Sequence, residues 1–136
     1  MTTAESAATT AATTTLPAHA IGKHLLADLH GVAPHLLTDP QRIEQLLLAA
    51  AEVAGATPIY GKFHHFGTGQ GVTGVLLLQE SHISIHTWPE FGFAAVDAFM
   101  CGDCRPELAI ELLRAAFAPR SVDVNQALRG CLEAKL

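Results

Sequence analysis

Four strand-like segments follow one another in the middle of the chain, separated only by short polar turns. Each is rich in aromatic and β-branched residues or alternates apolar with polar positions, as the strands of a sheet do. Their predicted bounds are 57–66, 72–79, 83–88 and 92–101. Segment 72–79 is a nearly continuous apolar run, which predicts burial on both faces. We therefore expect a sheet at the centre of the fold.

Two amphipathic helices are predicted on either side of this strand-rich region. The first is capped by Thr38 or Asp39, has Pro40 in its first turn and ends near Gly55, and the second spans 106–118. The residues predicted to face the core are Ile43, Leu46, Leu47, Ala50, Val53 and Ala54 in the first helix, and Leu108, Leu112, Ala116 and Phe117 in the second.

Two further strands are predicted at 21–31 and 121–124, so the expected element order is β-α-β-β-β-β-α-β. In the first of them, Leu25 and Leu29 lie on one face. This order predicts an α+β fold, a two-layer sandwich with a largely antiparallel sheet and both helices on one face.

The chain of 136 residues has the length of one domain. Residues 1–20 contain seven Thr and seven Ala and are expected to form a disordered tail, which leaves 21–136 as the folded domain. The tail lacks the basic and apolar regions of a signal peptide, so we expect a cytoplasmic protein with reduced cysteines. Because the net charge is −5 without any basic run, and no apolar run approaches ~18 residues, neither nucleic-acid nor membrane partners are expected.

The side chains suited to chemistry concentrate around residues 80–90, ESHISIHTWPE, and in the nearby pair Cys101 and Cys104. These side chains suggest two kinds of functional site. One is a zinc site, for which imidazole and thiolate are suitable ligands; its ligands would be His82, His86, Cys101 and Cys104. The CxxC spacing also fits a redox pair, but no βαβ unit surrounds it.

The other kind of site is a nucleophile with a base, Ser81 and His86. These residues lie five positions apart, so in a fully extended chain their side chains point to opposite faces. A turn at Ser81 and His82 would be needed to bring them together. Spacing alone leaves the choice between the metal site and the nucleophile open.

Residues 22–130 resemble the S-adenosylmethionine decarboxylase proenzyme family of the short prokaryotic type. The most specific segment is 80–90, ESHISIHTWPE, which GVTGV at 71–75 precedes and VDAFMCG at 96–102 follows. The opening GKHLLAD at 22–28 and Arg129-Gly130 also fit. An eleven-residue match with flanking matches in order is far more specific than an isolated CxxC.

The resemblance implies that the chain cleaves itself between Glu80 and Ser81 into 1–80 and 81–136, and that Ser81 becomes a pyruvoyl group. This covalent cofactor would form a Schiff base with the substrate amine and accept charge on loss of CO₂. The resemblance also implies roles for other residues: Thr73 assists processing, His86 accepts a proton in processing, Cys101 donates a proton in catalysis, Glu90 binds the substrate ribose and Phe66 stacks on adenine.

The implied activity is decarboxylation of S-adenosylmethionine for spermidine synthesis, in a dimer of cleaved protomers, (αβ)₂, whose sites draw on both protomers. No metal is implied. One alternative keeps the pyruvoyl chemistry but acts on a basic amino acid, ornithine or arginine. A second alternative, from another class, is a non-catalytic metal- or thiol-binding module.

Overall fold

The computed structural model describes residues 20–132. These residues form six strands and two α-helices: β1 (Ala20–His30), α1 (Pro40–Val53), β2 (Pro58–His65), β3 (Val72–Leu78), β4 (Ser81–Trp88), β5 (Phe93–Cys101), α2 (Pro106–Phe117) and β6 (Ser121–Cys131). Two short 3-10 helices, Pro34–Leu37 and Pro89–Phe91, lie in the connections. The predicted element order is confirmed. The predicted tail lies outside the described residues except for Ala20, which begins β1.

The strands form one sheet in the order β2-β3-β4-β5-β1-β6, and every neighbouring pair is antiparallel. β3, β4 and β5 are successive hairpin-connected strands, whereas β1 lies between β5 and β6. Gly22 of β1 is therefore opposite Cys101 on one side and Arg129 on the other. The predicted α+β sandwich with an antiparallel sheet is confirmed.

Both helices pack on the same face of this sheet. α1 contacts β2 and β3, α2 contacts β1 and β5, and the two helices contact each other. Asp39 caps α1, since its carboxylate accepts hydrogen bonds from the Gln41 and Arg42 amides at 3.1 and 3.3 Å. Lys23 of β1 pairs with Glu107 of α2. Partial burial raises the pKa of Glu107, but the hydrogen bond and charge of Lys23 hold it below its ordinary value.

The predicted helix faces need correction. In α1, Val53 is 46% exposed, and Ala51 lies in the core instead. In α2, Phe117 is buried as predicted, but the other predicted positions are only half-buried. The buried residues of α2 are Pro106, Ala109, Ile110, Leu113 and Phe117. Its core-facing stripe is thus rotated by about one residue from the predicted one.

Two strand predictions also need correction. β3 is not buried on both faces, because its residues alternate between buried positions and positions such as Leu77, which is 44% exposed. Both helices cover the same face, and no element within residues 20–132 covers the other. The last strand is longer than 121–124, because β6 pairs with the whole of β1. β6 is an exposed edge strand with little apolar alternation, so its full length left no sequence signal.

The sheet surface opposite the helices is called the open face here. It carries exposed or half-buried apolar side chains, among them Leu26, Leu77, Trp88, Phe93 and Phe99. His82, Ser84 and His86 of β4 lie on it as well, since they alternate with the buried Ile83, Ile85 and Thr87. No helix within residues 20–132 is long and apolar enough to cross a membrane.

Candidate active site

The peptide bond between Glu80 and Ser81 lies in the tight turn that joins β3 to β4. Leu78 pairs with Ser81, which leaves only Gln79 and Glu80 to turn the chain. Glu80 has φ +59°, in the left-handed region that favours glycine. Residues held in that region store about 1–3 kcal/mol of strain. The carbonyl that precedes Ser81 therefore belongs to a strained residue.

Cys101 contacts both sides of this bond. Its backbone amide donates to the Ser81 hydroxyl oxygen at 3.3 Å, and its thiol donates to the Glu80 carbonyl oxygen at 3.1 Å. This arrangement arises because β5 ends beside the start of β4. A cavity of about 280 Å³ adjoins the bond. It is lined by Gly55, Ala56, Thr57, Gln79, Glu80, Cys101, Gly102 and Cys104.

A second group of predicted residues meets at the opposite end of β4. Thr73 of β3 lies opposite His86 of β4, and the Thr73 hydroxyl oxygen is 3.3 Å from His86 Nδ1. They line a cavity of about 430 Å³ together with Phe66 and Glu90. Phe66 is 60% exposed, so it is not a core residue. Four predicted site residues thus share one cavity.

Trp88 gives this second cavity an aromatic wall. Its ring stacks near His86, with centroids 6.1 Å apart, and near Phe93, with centroids 5.4 Å apart. Thr87 lies between His86 and Trp88 on β4, and its buried side chain anchors the strand on the helix side of the sheet. Its hydroxyl donates to the Leu37 carbonyl at 2.7 Å and accepts from the Val72 amide at 2.8 Å.

Within one chain the two groups stay apart. Ser81 and His86 are separated by five positions of one strand, which corresponds to about 16 Å. Their side chains also alternate to different sides, and Ser81 follows the helix side. One protomer therefore holds the Ser81 hydroxyl and the Cys101 thiol at one end of the hairpin, and the His86 imidazole and Glu90 at the other.

The four ligands of the metal alternative do not converge. His86 contacts Thr73, while the Cys101 and Cys104 thiols donate to the Glu80 and Gly55 carbonyls. Among the residues described, the group of metal-ligand type is His24, His82 and Asp97, whose ligand atoms lie within 4.8 Å of one another.

This His24 group is a hydrogen-bonded network on the open face that sequence reasoning missed. Asp97 accepts from the Ser84 hydroxyl and lies 3.1 Å from His24 Nε2. Arg129 lies 3.2 Å from His24 Nδ1, and a guanidinium only donates, so Nδ1 is the acceptor. His24 Nε2 then carries the proton, which it donates to Asp97, and it has no free lone pair for a metal. These residues come together through the register of neighbouring strands. The sequence alone does not give that register, because it depends on the pairing of β1 with β5.

The architecture defines an α+β sandwich protein whose reactive side chains lie at the two ends of one β-hairpin. A family model described as S-adenosylmethionine decarboxylase matches residues 23–130. The chain belongs to the S-adenosylmethionine decarboxylase family.

Individual relatives agree with this assignment. An S-adenosylmethionine decarboxylase proenzyme of Methanococcus maripaludis is 45% identical over 114 residues, covering 83% of this chain and 93% of the relative. One from Thermodesulfovibrio yellowstonii is 41% identical over 115 residues and covers 84% of each chain. The crystal structure of the adenosylmethionine decarboxylase from Aquifex aeolicus superposes with a TM-score of 0.78 at 38% identity, covering 86% of this chain and 97% of that one.

Proposed function

We propose that this chain is a self-processing decarboxylase that converts S-adenosylmethionine to S-adenosylmethioninamine and CO₂ for spermidine synthesis. The observation that carries the proposal is the Glu80–Ser81 bond. A strained residue supplies its carbonyl, a serine hydroxyl follows it, and the Cys101 thiol donates to its oxygen. Membership of the family supports the choice of substrate.

Processing begins when the Ser81 hydroxyl attacks the Glu80 carbonyl and replaces the amide with an ester. Release of the left-handed Glu80 conformation favours this step. The Cys101 thiol donates to the oxygen on which negative charge develops. His86 of the partner subunit then removes the Ser81 Cα proton, and the Thr73 hydroxyl beside that imidazole orients it. Elimination releases chain 1–80 with a free carboxylate and leaves dehydroalanine. The dehydroalanine tautomerises to an imine, which takes up water and releases ammonia to give the pyruvoyl group.

A pyruvoyl group supplies the electrophilic carbonyl and electron sink that decarboxylation of an α-amino acid needs. The residues around Ser81 fit its formation, because it is made from that serine and needs no separate binding pocket. In turnover Cys101 donates the proton that the substrate α-carbon takes up. Glu90 accepts hydrogen bonds from the ribose hydroxyls. Phe66 and Trp88 supply aromatic faces for the adenine and the sulfonium charge.

The distance between Ser81 and His86 within one chain supports a dimer. Two copies stacked through their open faces would cover the apolar side chains that the helices leave exposed. A two-fold axis that runs across the strands reverses the strand direction of the second copy. The Ser81 end of one protomer then faces His86 of the partner subunit. We therefore propose an (αβ)₂ assembly with two composite sites.

The substrate is tested by CO₂ release from carboxyl-labelled S-adenosylmethionine, ornithine and arginine, each supplied to the purified protein. We expect release from S-adenosylmethionine only. The Ser81→Ala variant is the control, because it lacks the nucleophile and should release none. Release from ornithine or arginine alone would refute the proposed substrate and leave the pyruvoyl chemistry in place. Release from none of the three would refute the enzymatic function.

A further inference from the structure

Two thiols stand at the two ends of one β-turn beside the processing site. β5 ends at Cys101, and the Cys104 amide donates to the Cys101 carbonyl oxygen at 3.3 Å, which closes a four-residue turn. Gly102 occupies its first corner with φ +64°. A Cβ placed on Gly102 would meet no atom within 4 Å, so the turn has room to adjust.

This geometry suits a disulfide. The Cα atoms at the ends of a β-turn lie within about 7 Å of each other, and a disulfide needs about 4.4–6.8 Å. Both side chains are half-buried and line the same cavity of about 280 Å³. Among the residues described, each thiol makes one weak S–H hydrogen bond: Cys101 donates to the Glu80 carbonyl at 3.1 Å, and Cys104 donates to the Gly55 carbonyl at 3.4 Å. Rotating the two thiols towards each other therefore breaks little.

The cavity is reachable from the helix side of the protein. Its wall includes residues 55–57, which connect α1 to β2. The Arg105 amide donates to the Ala54 carbonyl at 2.9 Å and holds the turn against this loop. A second copy on the open face would leave that wall uncovered, so a small oxidant can enter the assembled enzyme.

We propose that Cys101 and Cys104 form a reversible disulfide that switches off turnover. The oxidant is a low-molecular-weight disulfide. One cysteine attacks it and releases one thiol, and the second cysteine attacks the mixed disulfide and releases another. Two electrons and two protons thus pass from the protein to the external disulfide. The effect on turnover rests on the proposed function, because the oxidised Cys101 has no proton to donate; formation of the disulfide does not.

The test uses the processed enzyme in glutathione buffers of graded ratios of oxidised to reduced form. Disulfides are located by alkylation and peptide mapping, and decarboxylated product is measured in the same samples. Full oxidation should link Cys101 to Cys104, lower product formation on the order of a hundredfold, and be reversed by dithiothreitol. Cys131→Ser should behave like the unmodified protein, since Cys131 is exposed on β6. Cys104→Ser should keep its activity until the ratio is about tenfold more oxidising, because it lacks the intramolecular partner.

Cys104→Ala serves as a second variant should the serine disturb the turn. The proposal is overturned if mapping finds both thiols free or only glutathione adducts on Cys101. It is also overturned if product formation in the unmodified protein and the Cys104 variants falls at the same ratio. A reduced enzyme that forms no product would refute the proposed function, and mapping would still decide whether the disulfide forms.

Discussion

Glu80 and Ala118 are the non-glycine residues with positive φ between positions 20 and 132, and they differ in what that conformation achieves. Ala118 ends α2, and its amide donates to the Arg114 carbonyl at 2.9 Å, as left-handed residues at helix ends do. Glu80 caps no helix. Its strain lies at the carbonyl next to Ser81, the bond that we propose is cleaved.

At this scale, the role of His86 is tested by His86→Ala. The variant keeps the Ser81 nucleophile and the Cys101 donor, so ester formation should proceed, but removal of the Cα proton should fail. Hydroxylamine should then split the stalled chain at residue 80, as denaturing mass spectrometry will show. His35→Ala, at an exposed position outside the sheet, is the control and should process normally. Normal processing of His86→Ala would show that another group is the base.

Glu90 is tested by Glu90→Gln. The side chain lines the cavity with Phe66, about one hairpin length from the Glu80–Ser81 bond of its own chain. Loss of one charge-assisted hydrogen bond should lower kcat/KM for S-adenosylmethionine about tenfold or more. Self-cleavage should be unaffected. Glu52→Gln is the matched control, since Glu52 is exposed at the end of α1. An equal loss of kcat/KM in Glu52→Gln, or no loss in Glu90→Gln, would show that Glu90 does not bind the ribose.

At the scale of elements, Thr87 connects three parts of the fold. It is 6% exposed, and its hydroxyl joins β4 to the start of β3 and to the turn at Leu37. His86 and Trp88 flank it and point to the open face. The hydroxyl therefore holds the strand from which both side chains enter the larger cavity.

Thr87→Val keeps the shape of this side chain and removes its hydroxyl. The buried Val72 amide and Leu37 carbonyl lose a partner, which should lower the free energy of unfolding by about 1–3 kcal/mol. Urea unfolding of the uncleaved Ser81→Ala background measures this without interference from processing. Thr38→Val is the control, since its hydroxyl makes one contact of 3.5 Å. Equal free energies for the two variants would contradict the role of Thr87.

Local patterns predicted the elements well but not their surroundings. The positions of the strands followed from different local patterns: aromatic and β-branched residues for β2, an apolar run for β3 and apolar alternation for β4. The start of α1 followed from Asp39 and Pro40. The exposure of one side of β3 could not be predicted in this way. An apolar run is compatible with a helix over that side and equally with a second subunit over it. The full length of β6 depends on pairing with β1, a contact between distant parts of the sequence.

For the candidate site, too, local sequence predicted the residues but not the contacts between distant strands. The residues of the candidate site were predicted through resemblance, and in the structure Thr73, His86, Glu90 and Phe66 line one cavity. The separation of Ser81 from His86 also agrees with their odd spacing along one strand. The contact between the Cys101 thiol and the Glu80 carbonyl had no local signal, because it depends on where β5 ends relative to β4.

In the whole molecule, the proposed site residues lie at the two ends of one hairpin, and no element of residues 20–132 covers the open face of the sheet. In the proposed dimer a second copy covers that face, and the two-layer chain becomes part of a four-layer assembly. In the proposed cleaved form, chain 81–136 contains β4, β5, α2 and β6. β4 pairs with β3, and β1 lies between β5 and β6, so strands of both chains share one sheet. The cleaved protomer is thus held together by strand pairing as well as by the core.

Composite sites are tested by co-expressing His86→Ala with Ser81→Ala. In a mixed dimer, Ser81 of the His86→Ala chain faces the intact His86 of the partner subunit, so one of the two sites is complete. Denaturing mass spectrometry should find cleavage confined to the His86→Ala chain, although neither variant completes processing alone. Absence of cleavage in the mixed dimers would place both residues of a site in one chain and contradict the proposed assembly.

The most direct measurement is the mass of the purified protein under denaturing conditions. The account predicts two chains, 1–80 with an ordinary carboxyl end and 81–136 with a pyruvoyl group in place of its first residue. Ser81→Ala should remain one chain, which shows that the cut requires the serine hydroxyl. An intact chain after prolonged incubation, or a cut at any other bond, would contradict the account.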